Sequence, residues 1–278
     1  MYAVASNARL KAARRLTKRA FRQRERAFLA EGPQAVAEAL AMGAPVTDLF
    51  VTTPAQARHA SLVADAADAG ISVQVVSGEV MSELAQTVTP QGLLAVCGFI
   101  DVPLATITQA RPTLVALLAN VRDPGNAGTV LRAADAAGAD AVIFSDASVD
   151  PYNGKCVRAS AGSLFHLPVA ALSEQGIRLP QAIAALRAAG LRVVAADGRS
   201  GRALDDLSAR DLLARPTVWL FGNEAWGLPP ELLGLADASL AVPIYGKAES
   251  LNLATAAAVC LYASASAHRA GAPADAAR

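Results

Sequence analysis

The 278-residue chain has a formal net charge of +1, with 53% hydrophobic and 18% charged residues. That balance supports packed cores and excludes a globally disordered chain; the length suits one large domain or two modest ones. Cys97, Cys156 and Cys260 form no CxxC pair and imply neither a disulfide framework nor a metal site. No stretch reaches the roughly 18 apolar residues of a membrane span, so a soluble protein of the reducing cytoplasm is expected.

The first predicted element is a basic helix over residues 9–29. From Arg9 to Arg26 it gathers nine basic residues, among them Arg14, Arg15, Lys18, Arg19 and Arg22, against one acid, Glu25, so the rest of the chain is net negative. A basic arm on a mildly acidic body points to a polyanion contact; a solvated helix that merely aids solubility is the competing reading. Apolar spacing then predicts a helix over 31–42, a strand over 48–52, a helix over 54–69 ending at Gly70, a strand over 73–76, a short helix over 78–85 and a strand over 93–99. A proline-containing link follows near 102–112. This alternation predicts a small α/β domain over residues 1–108.

The second half alternates more clearly. Strands are predicted over 113–119, 141–144, 167–171, 191–195, 217–221 and 238–242, and helices over 126–137, 155–161, 180–189, 230–235 and 251–267. Short, continuously apolar strands between helices imply a parallel sheet covered on both faces. This gives a second domain over 109–270, followed by an Ala/Gly-rich tail, 271–278, that is expected to be mobile.

Three polar segments follow apolar strands, where open α/β sheets bind their ligands. The first runs from Asn120 through Asp123, Pro124, Gly125, Asn126 and Gly128 to Arg132. Its turn opens a helix whose free N–H groups favour an anion, and Arg132 can clamp a phosphate; a plain strand–turn–helix with a surface arginine fits the spacing equally well. The second is Gly222-Asn223-Glu224-Ala225-Trp226-Gly227. There glycine allows close backbone approach, and Glu224 reads either as a site carboxylate or as a turn acid before Pro229. The third joins Val242, Pro243, Ile244, Tyr245 and Gly246 to Ser250, Leu251 and Asn252. Ser250 and Asn252 are natural helix-start residues or site hydrogen-bonding groups. Neither GxGxxG nor GxxxxGK[ST] is present, which argues against a Rossmann dehydrogenase and a P-loop NTPase.

Taken together and in order, the three segments resemble the motifs of the SpoU (TrmH-like) RNA ribose 2′-O-methyltransferases, within the SPOUT class. The residues carrying the resemblance are Asn120, Asn126, Gly128 and Arg132; Gly222, Glu224 and Gly227; and Pro243, Ser250, Leu251 and Asn252. It spans about residues 113–267. Residues 20–100 are also similar to the small substrate-binding domain often found N-terminal to it, through Phe28, Glu31, Gly32 and the 48–51 strand.

The resemblance implies an α/β, parallel-sheet SPOUT domain with a C-terminal trefoil knot, preceded by a small α/β substrate-binding domain. It implies S-adenosylmethionine as methyl donor, held by Gly222, Val242, Leu251, Ala196, Asp197 and Ile244, without a metal. It gives Asn120, Arg132, Glu224, Ser250 and Asn252 to catalysis, with Arg132 on the acceptor, and implies a homodimer whose site is completed across the interface. The basic residues Arg14, Arg15, Lys18, Arg19 and Arg22 then become RNA contacts, with Phe21, Phe28 and Tyr152 as candidates for base stacking and a core role the competing reading for the two phenylalanines. Ribosomal RNA of the large subunit is the favoured substrate. Transfer RNA, and a non-catalytic RNA-binding role on the same fold, are the alternatives.

Overall fold

A computed structural model describes residues 3–270, so the expected mobile tail, 271–278, lies outside the described residues. The chain forms two compact units. One comprises the residues up to Ile100 together with Asp150–His166; the other comprises Asp101–Val149 and the residues from Leu167 onward.

In the first unit, β1 (Ala3–Val4), β2 (Ala27–Glu31), β3 (Val46–Thr52), β4 (Ser72–Val76) and β5 (Leu93–Gly98) form a sheet in the order β1-β4-β3-β5-β2. Strand β5 is antiparallel to both of its neighbours, whereas β3 and β4 are parallel. The single basic helix expected over 9–29 is two helices, Asn7–Arg15 and Arg19–Glu25, followed directly by β2. The break has a cause: Leu16 is buried, and Arg22 donates to the carbonyls of Leu16 and Thr17 (both 3.0 Å) that a continuous helix would have used. Arg26, at φ 49°, ends the second helix in the left-handed region, after which Phe28, Leu29 and Ala30 are buried in the sheet. The helix expected over 54–69 is likewise two, Thr53–Arg58 and Ala60–Asp68, parted at His59.

The segment Asp150–His166 belongs to this first unit, so the 109–270 domain is not one uninterrupted span, and the first cut falls at Ile100 rather than at 108. Its aromatic residues account for this. The Tyr152 ring stacks on Phe99 with centroids 3.9 Å apart and lies 4.6 Å from Phe28, while Phe165 lies 6.1 Å from Phe28. Phe28 and Tyr152 are therefore core residues, not base-stacking surfaces, and the Tyr152 hydroxyl accepts the Ile100 N–H (2.9 Å).

In the second unit, β6 (Leu114–Leu118), β7 (Ala141–Phe144), β8 (Val169–Ala171), β9 (Arg192–Ala196), β10 (Thr217–Phe221) and β11 (Ala238–Leu240) form a sheet in the order β11-β9-β10-β6-β7-β8. Every pairing in it is parallel. Leu117, Val193 and Leu220 pack with Ile183 and Leu186 of the helix Leu179–Ala188. The final helix, Leu253–Ala270, is fastened to β10 by a hydrogen bond from the Trp219 indole N–H to the Ser264 Oγ (2.9 Å). Three helices in this unit lie where the sequence reading has none: Leu104–Gln109, in the expected link, Leu172–Gln175 and Leu207–Leu213. Parallel strands leave their carboxyl ends on one edge, and there β6, β10 and β11 release the chain into the three polar segments singled out above, and β9 into the turn at Asp197.

Candidate active site

The first segment leaves β6 through a sharp turn. Asn120 has φ 59°, a left-handed conformation that asparagine tolerates better than most residues. Two buried serines brace it: Asn120 N–H donates to Ser145 Oγ and Val121 N–H to Ser148 Oγ (both 3.2 Å). Asp123 then caps the helix Pro124–Ala137 by accepting the Asn126 N–H (2.8 Å), and Pro124 sits at its first position, where no N–H is needed.

The second segment is a tight hairpin. Asn223 and Gly227 exchange both backbone hydrogen bonds (2.9 Å each), and Gly227 takes the positive φ the turn requires. Gly222 lies so close beneath the returning chain that an added Cβ would stand 2.4 Å from the Gly227 carbonyl carbon. The Asn223 side chain, buried and not singled out in the sequence, donates to the Asn120 carbonyl (2.8 Å) and accepts the Ala225 N–H (2.9 Å). Its only sequence signal is its position between Gly222 and Glu224.

Glu224 joins the two segments. Its carboxylate accepts from the N–H groups of Arg122 (3.2 Å) and Asp123 (3.0 Å) and from the Asn126 amide (3.2 Å). Desolvation works against its charge, but these bonds and its own backbone N–H outweigh that, holding the carboxyl below the usual range. At this helix start the protein's own carboxylates, Glu224 and Asp123, accept the N–H groups of Arg122, Asp123 and Asn126. Asn126 is bonded in turn to the third segment, accepting from the Asn252 amide (3.0 Å). Asn252 also caps the final helix, accepting the N–H groups of Ala254 (2.9 Å) and Thr255 (3.3 Å). Of its two sequence readings, the helix cap is what these bonds show; the same side chain also ties the third segment to the first.

Beside this cluster, outside the carboxyl ends of β9, β10 and β11, is a cleft of about 180 Å³. Ala196, Asp197, Gly222, Val242, Ile244 and Leu251 all line it, as do Glu224 and Ser250. Phe221, Leu240, Leu253 and Ala256 add apolar wall that the sequence did not single out. Asn120, Arg132 and Asn252 are not among the lining residues. Arg132 is exposed and stands outside the bonded cluster; six residues beyond Asn126, it lies about 120° away around the helix axis.

The basic arm divides on inspection. Arg22, grouped in the sequence with the exposed cations, is 3% exposed and bonds Asp150 through Nε (2.9 Å) and Nη2 (2.6 Å). With the two carbonyls described above it is fully committed inside the unit, which removes it from the nucleic-acid contacts. Arg15, Lys18 and Arg19 are exposed, and Arg14 is exposed but paired with Glu83. Arg15 and Arg24 both lie over the half-buried Phe21 ring (5.4 and 4.8 Å). Among the described residues, no group of three or more potential metal ligands is present.

Residues 113–262 match the SpoU rRNA Methylase family, and residues 7–95 match the MRM3-like substrate binding domain. The chain belongs to the SpoU rRNA methylase family. A relative from Bacillus subtilis, 23S rRNA (guanosine(2553)-2′-O)-methyltransferase, is 35% identical over 93% of this chain and 96% of its own. Among solved structures, the AdoMet-bound rRNA methyltransferase of Sinorhizobium meliloti superposes with a TM-score of 0.79 at 33% identity, covering 98% of this chain and 99% of that one. The SpoU methyltransferase AviRb of Streptomyces viridochromogenes, in complex with AdoMet, does so at 0.79 and 28% identity, covering 96% and 100%.

Proposed function

We propose that this protein transfers a methyl group from S-adenosylmethionine to a ribose 2′-hydroxyl of 23S ribosomal RNA. The observation that carries the reading is the bonded run Glu224–Asn126–Asn252, which draws three remote segments together at the rim of the cleft. The names of the SpoU relatives support both donor and substrate. The cleft suits the donor: Leu240, Val242, Ile244, Leu251 and Leu253 offer apolar wall to a purine, and Gly222 leaves bare backbone for polar groups.

S-adenosylmethionine supplies a methyl group already activated on a sulfonium, so the remaining demand falls on the weakly nucleophilic acceptor hydroxyl. Arg132 meets it by holding the acceptor's phosphate and stabilising negative charge on the attacking oxygen. A guanidinium is a donor with no free acceptor, so the proton passes to a substrate phosphate or to water. Glu224 fixes the first helix, Ser250 and Asn252 shape the rim, and Asn120 sets the turn that leads to Arg132. Most of the acceleration comes from positioning and electrostatics.

Arg132 stands apart from the cleft cluster of its own chain, which favours a homodimer in which each copy delivers Arg132 to its partner's site. Val259 and Tyr262 leave exposed apolar surface on the final helix for that interface. The chain near Ala241 is gripped by the β9–β10 connection, with Ala241 N–H donating to the Arg202 carbonyl (2.9 Å) and Leu204 N–H to the Ala241 carbonyl (2.8 Å). We read this grip as part of a trefoil knot; an experimental trace leaving that connection unthreaded removes it. Residues 1–108, with Arg14, Arg15, Lys18 and Arg19, bind the RNA. The protein works in the cytoplasm, which cell fractionation checks.

The deciding experiment pairs calorimetry with S-adenosylmethionine and labelled methyl transfer to 23S transcripts, followed by mapping of 2′-O-methyl positions. Donor binding and a single mapped ribose are expected. Donor binding without transfer to any ribosomal RNA removes the substrate, and no donor binding removes the enzyme.

A further inference from the structure

The chain has two tryptophans, and they are used oppositely. Trp219 lies within β10, 0% exposed, with its indole N–H bonded to Ser264. Trp226 is 56% exposed, on the hairpin that carries Glu224. Packing does not explain its position, because the hairpin is closed by the Asn223–Gly227 backbone pair and by the Asn223 side chain. Its sequence neighbours Glu224 and Gly227 line the cleft. The groups that Glu224 bonds, on Arg122, Asp123 and Asn126, are polar, so this part of the rim is not an apolar patch. An exposed indole on a hydrogen-bonded turn, between two residues that line the cleft, has the properties of a stacking platform. It offers a flat π-face with little freedom to lose, which suits an unpaired base more than a protein surface.

We infer that Trp226 stacks on an unpaired nucleobase of the RNA, at or next to the nucleotide whose ribose is methylated. This makes Trp226 a positioning residue. It fixes the plane of one base, and through the glycosidic bond it limits where the 2′-hydroxyl lies relative to the cleft. The selectivity it confers is for an unstacked nucleotide, because a base within a continuous helix has no free face to give. The inference rests on the RNA methyltransfer reading above.

The test uses the whole protein and a 23S transcript. Because Trp219 is buried, RNA-dependent fluorescence quenching reports Trp226, with Trp226→Phe supplying the Trp219 background. We expect quenching in the wild type and none in Trp226→Phe. We also expect RNA affinity to fall about tenfold in Trp226→Ala and to be restored to within about threefold in Trp226→Phe. Donor affinity and sedimentation should be unchanged in both variants. Absence of quenching overturns the inference, as does unaltered RNA affinity in Trp226→Ala. A change of oligomeric state in Trp226→Ala also overturns it, since that assigns the indole to a subunit interface. Quenching is a binding signal, so it decides the role of Trp226 whether or not methyl transfer is detected.

Discussion

The basic arm and the motif loops are both crowded with polar side chains, yet they use them differently. In the arm, most cations face solvent, and Arg9, Arg14 and Arg24 meet single acids, Asp48, Glu83 and Glu25. In the loops, Glu224, Asn126 and Asn252 bond across sequence separations of 98 and 126 residues. The arm can bind a polyanion without any one side chain being indispensable, because its contribution is summed charge. The loops hold a geometry, and losing one bond there moves several groups. Arg22 is the instructive exception: it sits in the arm's sequence but behaves like a loop residue, committed to Asp150 and two carbonyls.

The largest effect that sharpens this contrast is on catalysis. Arg132→Ala should lower methyl transfer by about a thousandfold while donor binding by calorimetry is retained; a variant of near-normal rate takes the acceptor role from Arg132. Mixing it with Gly222→Ala, at a donor concentration too low to load that variant, should restore about a quarter of the activity if sites are shared across a two-fold interface, and none if they are not. Arg22→Ala comes next, on stability. Leaving the Asp150 carboxylate buried without its partner should cost about 3–5 kcal/mol by denaturant unfolding, whereas Arg19→Ala should cost almost nothing. Equal losses would erase the distinction between Arg22 and its neighbours. Gly222→Ala, whose Cβ meets the Gly227 backbone, should cost about 1–3 kcal/mol and weaken donor binding at least tenfold.

Smaller effects follow from charge. The Glu224 carboxyl is held below its ordinary value of 4.5, so its ionised form is preferred in the folded state. Its contribution is complete above that value and is lost as pH falls through the lower folded value. Wild-type stability should therefore lose this contribution only below about pH 4.5, and Glu224→Gln should flatten that part of the profile; an unchanged acid limb in the variant removes Glu224 as its source. The smallest effect belongs to the arm. Neutralising Arg14, Arg15, Lys18 and Arg19 should reduce the salt slope of RNA binding by up to about one for each phosphate left without its cation, and an unchanged slope means the arm does not touch RNA.

Much of this architecture was legible in the sequence. The continuous apolar runs at 114–118, 141–144 and 217–221, alternating with helices, read as buried parallel strands, and the three polar segments follow the strands at 114–118, 217–221 and 238–240. The six donor-contact residues named from family resemblance all line the cleft because they sit in the turns that the strand ends create. What escaped was decided by partners remote in sequence. Nothing near Arg22 announces Asp150, and nothing near Tyr152 announces Phe28 and Phe99. A helical reading of 9–29 was natural while the basic run hid the buried Phe28–Ala30 strand. Asn223 escaped because a side chain that bonds backbone carries no periodic signature.

Asn252 holds the cleft rim through Asn126 with one end of its amide and begins the closing helix with the other. A molecule that steadies the 242–252 loop therefore also steadies the first turn of an 18-residue helix. Amide protons far down that helix, well beyond any contact with the ligand, should exchange more slowly once the cleft is filled, turning a local grip into a signal that travels along a rigid rod.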